Sequence, residues 1–188
     1  MFAIIRRLQC CDHLPTGVEK SKKSIYRIAD SMFRFWYRFI PSNMNAVAGG
    51  NGNIVFEKIV EPNLNDYMGG IFERMCIEYL NRANGSDLLP FSFFEIGRWW
   101  GSDPKRKMPI EIDIVAFFRP ENKALFCECK FKNEPVDTDV LERLVENSLL
   151  LDYENRYYCL FSKSGFTNRL KKNSSKDTIL IDLKKMYE

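Results

Sequence analysis

Two short stretches of this chain carry charged residues where apolar ones would fit. Asp113 stands inside Ile-Glu-Ile-Asp-Ile-Val-Ala, and Glu128 and Lys130 stand inside Phe-Cys-Glu-Cys-Lys-Phe. Both stretches alternate with period two, so Glu128 and Lys130 share one strand face, and Glu111 and Asp113 likewise share one. A short turn joins the two strands into a hairpin that can set Asp113 near Glu128. Two carboxylates at that distance oppose each other's ionisation. A divalent cation between them removes the conflict, and oxygen-only ligands suit Mg2+ (or Mn2+), which keeps waters for a substrate. Such an ion polarises a phosphodiester oxygen and acidifies a bound water. Asp113, Glu128, Lys130 and Glu73 are therefore the candidate catalytic residues, with Lys130 holding the water or stabilising charge on the phosphoryl group. The candidate metal ligands are Asp113, Glu128, Glu73 and the main-chain carbonyl of Cys129. A cross-strand ion pair on a solvated face accounts for the same residues without catalysis.

Periodicity supplies the elements that must carry these groups. A helix is expected from about 65 to 82, with Met68, Phe72, Met75, Cys76 and Tyr79 as its apolar stripe. Gly69, Glu73 and Ile77 lie off that stripe at i, i+4 spacing. Glycines at 69 and 70 each cost a helix about 1 kcal/mol, which implies a closely approaching backbone. Strands are expected over 91–97, 110–118 and 124–131, with Arg98-Trp-Trp-Gly101 closing the first. Asp137 or Thr138 caps a helix to about 151. Strands over 157–162 and 178–183 follow it. Strands joined by a helix make a mixed sheet covered by helices, an α/β fold. Upstream, residues 1–30 read as a strand pair turning at Pro15-Thr-Gly17. An aromatic helix over 30–40 buries Phe33, Trp36, Tyr37 and Ile40 and stops at Pro41. Residues 43–53, with Gly49-Gly50-Asn51-Gly52, read as a loop. No Gly-Lys-Ser/Thr follows it, so it is no phosphate cradle and the chain alone is not an ATPase.

The 188 residues carry 45% hydrophobic and 14% aromatic residues, which excludes disorder. The net charge of +3 is unevenly spread: +5 over 1–41, −6 over 42–162 and +4 over 163–188. The acidic centre repels phosphate unless a cation neutralises it. Lys105, Arg106 and Lys107 at a hairpin tip, and Arg169, Lys171 and Lys172, are the candidate nucleic-acid contacts. Solvated basic faces are the alternative. Trp99 and Trp100 fit the core better than a base stack. Cys10, Cys11 and His13 lack a second ligand cluster, which leaves no structural zinc. Free thiols suit a reducing cytoplasm. No run of 18 apolar residues occurs and the apolar N-terminal stretch is too short for a signal peptide, so the expectation is a cytoplasmic protein without membrane contact.

Asp113, followed by Glu128-Cys-Lys130 in the next strand, resembles the PD-(D/E)xK nuclease superfamily over residues 65–185, with Ile112 in place of the motif's proline. A wider set of residues resembles the C-terminal domain of unknown function of archaeal-type prokaryotic AAA+ ATPases. It comprises Tyr26-Arg-Ile-Ala-Asp30, Phe35-Trp-Tyr-Arg-Phe39, Tyr67-Met-Gly69, Phe72-Glu73, Gly97-Arg-Trp-Trp-Gly101, Glu111-Ile-Asp-Ile-Val115 and Glu128-Cys-Lys130. That resemblance implies a restriction-endonuclease-like mixed sheet flanked by helices, preceded by a β-hairpin arm and an aromatic helix. It implies an N-terminal arm over 1–64, the wing remnant of a winged helix, and a nuclease-like domain over 65–188. It further implies metal-dependent DNA endonuclease activity, and a homodimer or a separate ATPase as partner. A catalytically inactive DNA-binding or regulatory module keeping the fold is the alternative, and a partner-docking domain is a third possibility.

Overall fold

The computed structural model describes residues 8–11, 25–28, 30–103 and 107–188. They fall into two units, divided between Ile71 and Phe72. In the first, strands β1 (Leu8–Cys11) and β2 (Ile25–Ile28) pair antiparallel, with Leu8 opposite Ile28. The expected turn at Pro15-Thr-Gly17 and His13 lie outside the described residues. Asp30 caps helix α1 (Ser31–Phe39), its Oδ1 accepting from the amides of Met32 at 2.9 Å and Phe33 at 3.1 Å. Such a cap contributes about 1 kcal/mol.

The buried face of α1 differs from the expected one. Phe39 is buried beside Val60 and Tyr67, whereas Trp36 is 43% and Tyr37 53% exposed. The Tyr67 ring sets edge-on against Phe35 and Phe39, and its hydroxyl donates to the Ser31 carbonyl at 2.7 Å. That docking draws in the Phe35–Phe39 face.

The expected loop over 43–53 is largely helical. A 3-10 turn (Pro41–Asn43) leads to α2 (Met44–Ala48), and Gly50 at φ 83° turns the chain into α3 (Gly52–Val55). A π-helical segment (Phe56–Val60) then joins α3 to α4 (Glu61–Ala83), so the long helix starts before residue 65. Pro62 gives the reason: it has no N–H to donate, and its ring would strike the Lys58 carbonyl four residues back. The wider π turn relieves both problems.

Gly69 and Gly70 do not admit a neighbouring backbone. Among the described residues, a Cβ added at Gly69 would meet nothing within 4 Å, and one at Gly70 only the Arg34 guanidinium at 3.6 Å. Gly69→Ala is therefore expected to stabilise the protein by about 1 kcal/mol, read as a higher urea midpoint.

The second unit holds β3 (Glu95–Asp103), β4 (Met108–Phe118), β5 (Lys123–Lys130), α5 (Thr138–Ser148), β6 (Asn155–Ser162), α6 (Asn168–Asn173) and β7 (Thr178–Asp182). They form a five-stranded sheet in the order β3-β4-β5-β6-β7, antiparallel from β3 to β5 and parallel from β5 to β7. Arg98-Trp-Trp-Gly101 lies within β3 rather than closing it. Trp99 is buried with Ile112, its register partner, and lies over Gly101, where a Cβ would come within 2.6 Å of the ring. Phe72, Cys76 and Leu80 of α4 pack on one sheet face with Ile114, Cys127 and Phe161. Leu144 of α5 and Leu170 of α6 pack on the other with Val115, Phe126 and Leu160. The fold is thus the expected mixed α/β sheet flanked by helices.

Candidate active site

β4 and β5 pair from Phe118–Lys123 as far as Ile114–Cys127, and then separate. Beyond that point β4 continues against β3 to Met108, while β5 continues against β6 to Lys130–Ser162. Asp113 and Glu128 are the first residues past the fork. In place of a ladder bond, Asp113 Oδ2 accepts from the Cys129 amide at 2.8 Å. Because the N–H and C=O of one strand residue point to the same side, the Cys129 carbonyl also faces the fork.

A second irregularity sits at the same place. Between the pairs Gly97–Val115 and Trp99–Ile112, β3 contributes one residue, Arg98, and β4 contributes two, Asp113 and Ile114. This is a bulge, which bends the strand and re-aims side chains. Its effect is visible in the core: Ile112 and Val115 pack on the same sheet face, although strict alternation would separate them. The signal in the sequence was the broken alternation of Ile112, Ile114 and Val115, which the period-two reading passed over.

Glu128 Oε1 accepts from Lys130 Nζ in an ion pair along one strand face. Burial raises the Glu128 pKa and the Asp113 charge adds to the rise, with Lys130 only partly offsetting them. For Lys130, burial opposes the ammonium, but the charges of Glu128 and Asp113 outweigh it and its pKa is raised. Burial pushes the Cys127 and Cys129 thiols well up, so they stay neutral and offer no thiolate. Glu128 also lines a cleft of about 540 Å3 against α5, together with Glu111, Asp139, Glu142, Glu146 and Arg143. A wall this acidic disfavours a polyanion until a cation enters.

Glu73 is engaged elsewhere. Its Oε2 accepts from Arg98 Nη2, and Arg98 Nη1 holds Glu111 Oε1 at 3.0 Å. Sequence reasoning missed this arginine, whose only signal was a charge next to two tryptophans. The Arg98 and Glu73 side chains are 24% and 19% exposed, so their pair is largely desolvated. Arg98→Met, which leaves both carboxylates without this partner, is expected to cost about 1–3 kcal/mol in urea unfolding. Of the candidate nucleic-acid contacts, Lys105 and Arg106 lie outside the described residues. Lys107 is exposed, with φ 53°, and Arg169, Lys171 and Lys172 are exposed on α6.

Among the described residues, no group of three or more His, Cys, Asp and Glu side chains is arranged to hold a metal ion. What the fork offers is two carboxylates and one carbonyl. Asp113 Oδ1 and Glu128 Oε2 accept no hydrogen bond among the described residues. This donor set is all oxygen and carries two negative charges, which fits a hard divalent cation that keeps several waters.

These features define a mixed α/β domain with two carboxylates and a lysine at a fork in its sheet. The chain belongs to the DUF234 family, archaeal and bacterial proteins of unknown function, whose model matches residues 36–146. An uncharacterized protein of Methanocaldococcus jannaschii is 34% identical over 170 residues, covering 87% of this chain and 35% of its own length. The chain thus spans about a third of the curated relative it matches. Among solved structures, the DNA modification-dependent restriction endonuclease AspBHI matches at 18% identity over 61% of this chain and 29% of that chain, with a TM-score of 0.31. No helix of the described residues is long and apolar enough to cross a membrane.

Proposed function

We propose that residues 65–188 form a restriction-endonuclease-like domain of the PD-(D/E)xK type that hydrolyses DNA phosphodiester bonds with Mg2+ or Mn2+. The supporting observation is the fork itself: Asp113 bonded to the Cys129 amide, beside the Glu128–Lys130 pair. Asp113, Glu128 and the Cys129 carbonyl would hold the cation, with Glu73 a further carboxylate once Arg98 releases it. When bound, such an ion supplies Lewis acidity to a phosphoryl oxygen and acidity to a water. Lys130, kept protonated by Glu128 and Asp113, donates to the charge that builds on the phosphoryl oxygens. Arg169, Lys171, Lys172 and Lys107, with Lys105 and Arg106, contact flanking phosphates. Residues 1–64 are an N-terminal arm made of a winged-helix-like wing and an aromatic helix, and the domain is of the kind found at the C-terminus of AAA+ ATPases. In this reading the protein works in the cytoplasm, as a homodimer or with a separate ATPase.

A second reading is an inactive DNA-binding or regulatory module. The Arg98–Glu73 pair favours it, because a carboxylate held by a guanidinium is not available to a metal. Plasmid and branched-DNA cleavage with Mg2+ or Mn2+, run beside Asp113→Ala and Lys130→Ala, decides between them. Metal-dependent cleavage lost in both variants supports the nuclease. Absence of both cleavage and Mn2+ binding in the wild type leaves the inactive module.

A further inference from the structure

We infer that Lys163 is a substrate-positioning residue that contacts a backbone phosphate at the sheet end where β5 and β6 finish, one strand away from the fork, an inference that rests on the nuclease reading above. Lys163 directly follows β6, and its amide donates to the Lys130 carbonyl at 3.0 Å. It therefore stands next to the end of the strand that carries Glu128 and Lys130. Its ammonium lies 4.6 Å from the centre of the Phe131 ring and donates to Asn133 Oδ1 at 2.8 Å. The Phe131 ring is itself seated on Phe72, with centroids 5.5 Å apart. The Ser164 hydroxyl ties the same two strand ends together by donating to the Lys132 carbonyl at 2.7 Å.

The contrast with Lys130 carries the argument. Lys130 is paired with a carboxylate, whereas both partners of Lys163 are neutral, and it has no ion pair among the described residues. An aromatic face and an amide oxygen fix the ammonium without cancelling its charge. A cation that keeps its full charge and is already ordered loses little rotamer freedom when an anion arrives. The fitting ligand is a phosphodiester of the nucleic-acid backbone, gripped without regard to base.

The test is fluorescence anisotropy of duplex DNA in Ca2+ across a salt series, on the full chain. Lys163→Gln should weaken binding several-fold and reduce the slope of log K against log salt by about 0.9, the share of one phosphate. Lys163→Arg should restore that slope, and Asn133→Ala should weaken binding while leaving the slope intact. An unchanged slope in Lys163→Gln overturns the inference alone, provided the wild type binds DNA. An equal drop in Lys185→Gln, an exposed control, overturns it too, by showing a diffuse charge effect. Failure of the wild type to bind DNA under any metal condition overturns the nuclease reading and this inference together.

Discussion

Asp113→Asn should remove Mn2+ binding and slow DNA cleavage by about 10^3-fold or more. Lys130→Met should slow cleavage by about 10^2 to 10^4-fold and leave Mn2+ bound. The two variants separate holding a cation from using it. Asparagine keeps an oxygen to accept the Cys129 amide, so the fork retains its bond while losing the charge that attracts a metal. Several kcal/mol of transition-state stabilisation then disappear, at tenfold in rate for each 1.36 kcal/mol. Methionine preserves most of the lysine's length but has no proton to give. Without the Lys130 ammonium, Glu128 is harder to ionise, so Mn2+ titration belongs at pH 8. Isothermal titration reads the metal, and circular dichroism confirms that both variants are folded. Full-rate cleavage by Lys130→Met would sink the proposed role of the lysine while leaving the metal site standing.

Much of this arrangement was legible in the chain because it lives on single strands and helices. Acidic residues between Ile, Val, Cys and Phe marked Asp113 and Glu128, and period-two alternation marked the hairpin that joins them. The bulge at Asp113 was not legible, because it is a relation between two strands: one residue of β3 against two of β4. The Arg98–Glu73 pair was hidden for a similar reason, since its partners are 25 residues apart and lie on a helix and a strand. In α1, two i, i+4 faces were both aromatic, and Tyr67, far along the sequence, decided which one went inside. The glycines over 49–52 suggested a loop, yet only Gly50 uses the left-handed region there. Local composition identifies an element more reliably than it identifies the partner that orients it.

In a chelating buffer at pH 8, Glu128→Gln should melt higher than the wild type, on the order of 1–3 °C, while losing all Mn2+-dependent stabilisation. The reason is the raised Glu128 pKa, caused first by burial and then by the Asp113 charge. Between the ordinary carboxylate value and the raised one, the folded protein holds a proton that the unfolded chain has released. Stability therefore falls as pH rises through that window, and the loss persists above it. Glutamine has no proton to release, so its advantage should be absent at strongly acid pH, grow across the window and then level off. Mn2+ should reverse the order, because on the proposed reading it binds the folded wild type and would contribute about 2.7 kcal/mol at a hundred times its Kd. The wild type would then melt above Glu128→Gln, and a pair of melting curves with and without the metal reads both effects. If Glu128→Gln melts lower at every pH in chelator, the ion pair with Lys130 outweighs burial and the fork is a structural salt bridge. The expected crossing instead describes a buried carboxylate that is costly to ionise beside the Asp113 charge, a cost that Lys130 offsets only in part and a bound cation would offset further.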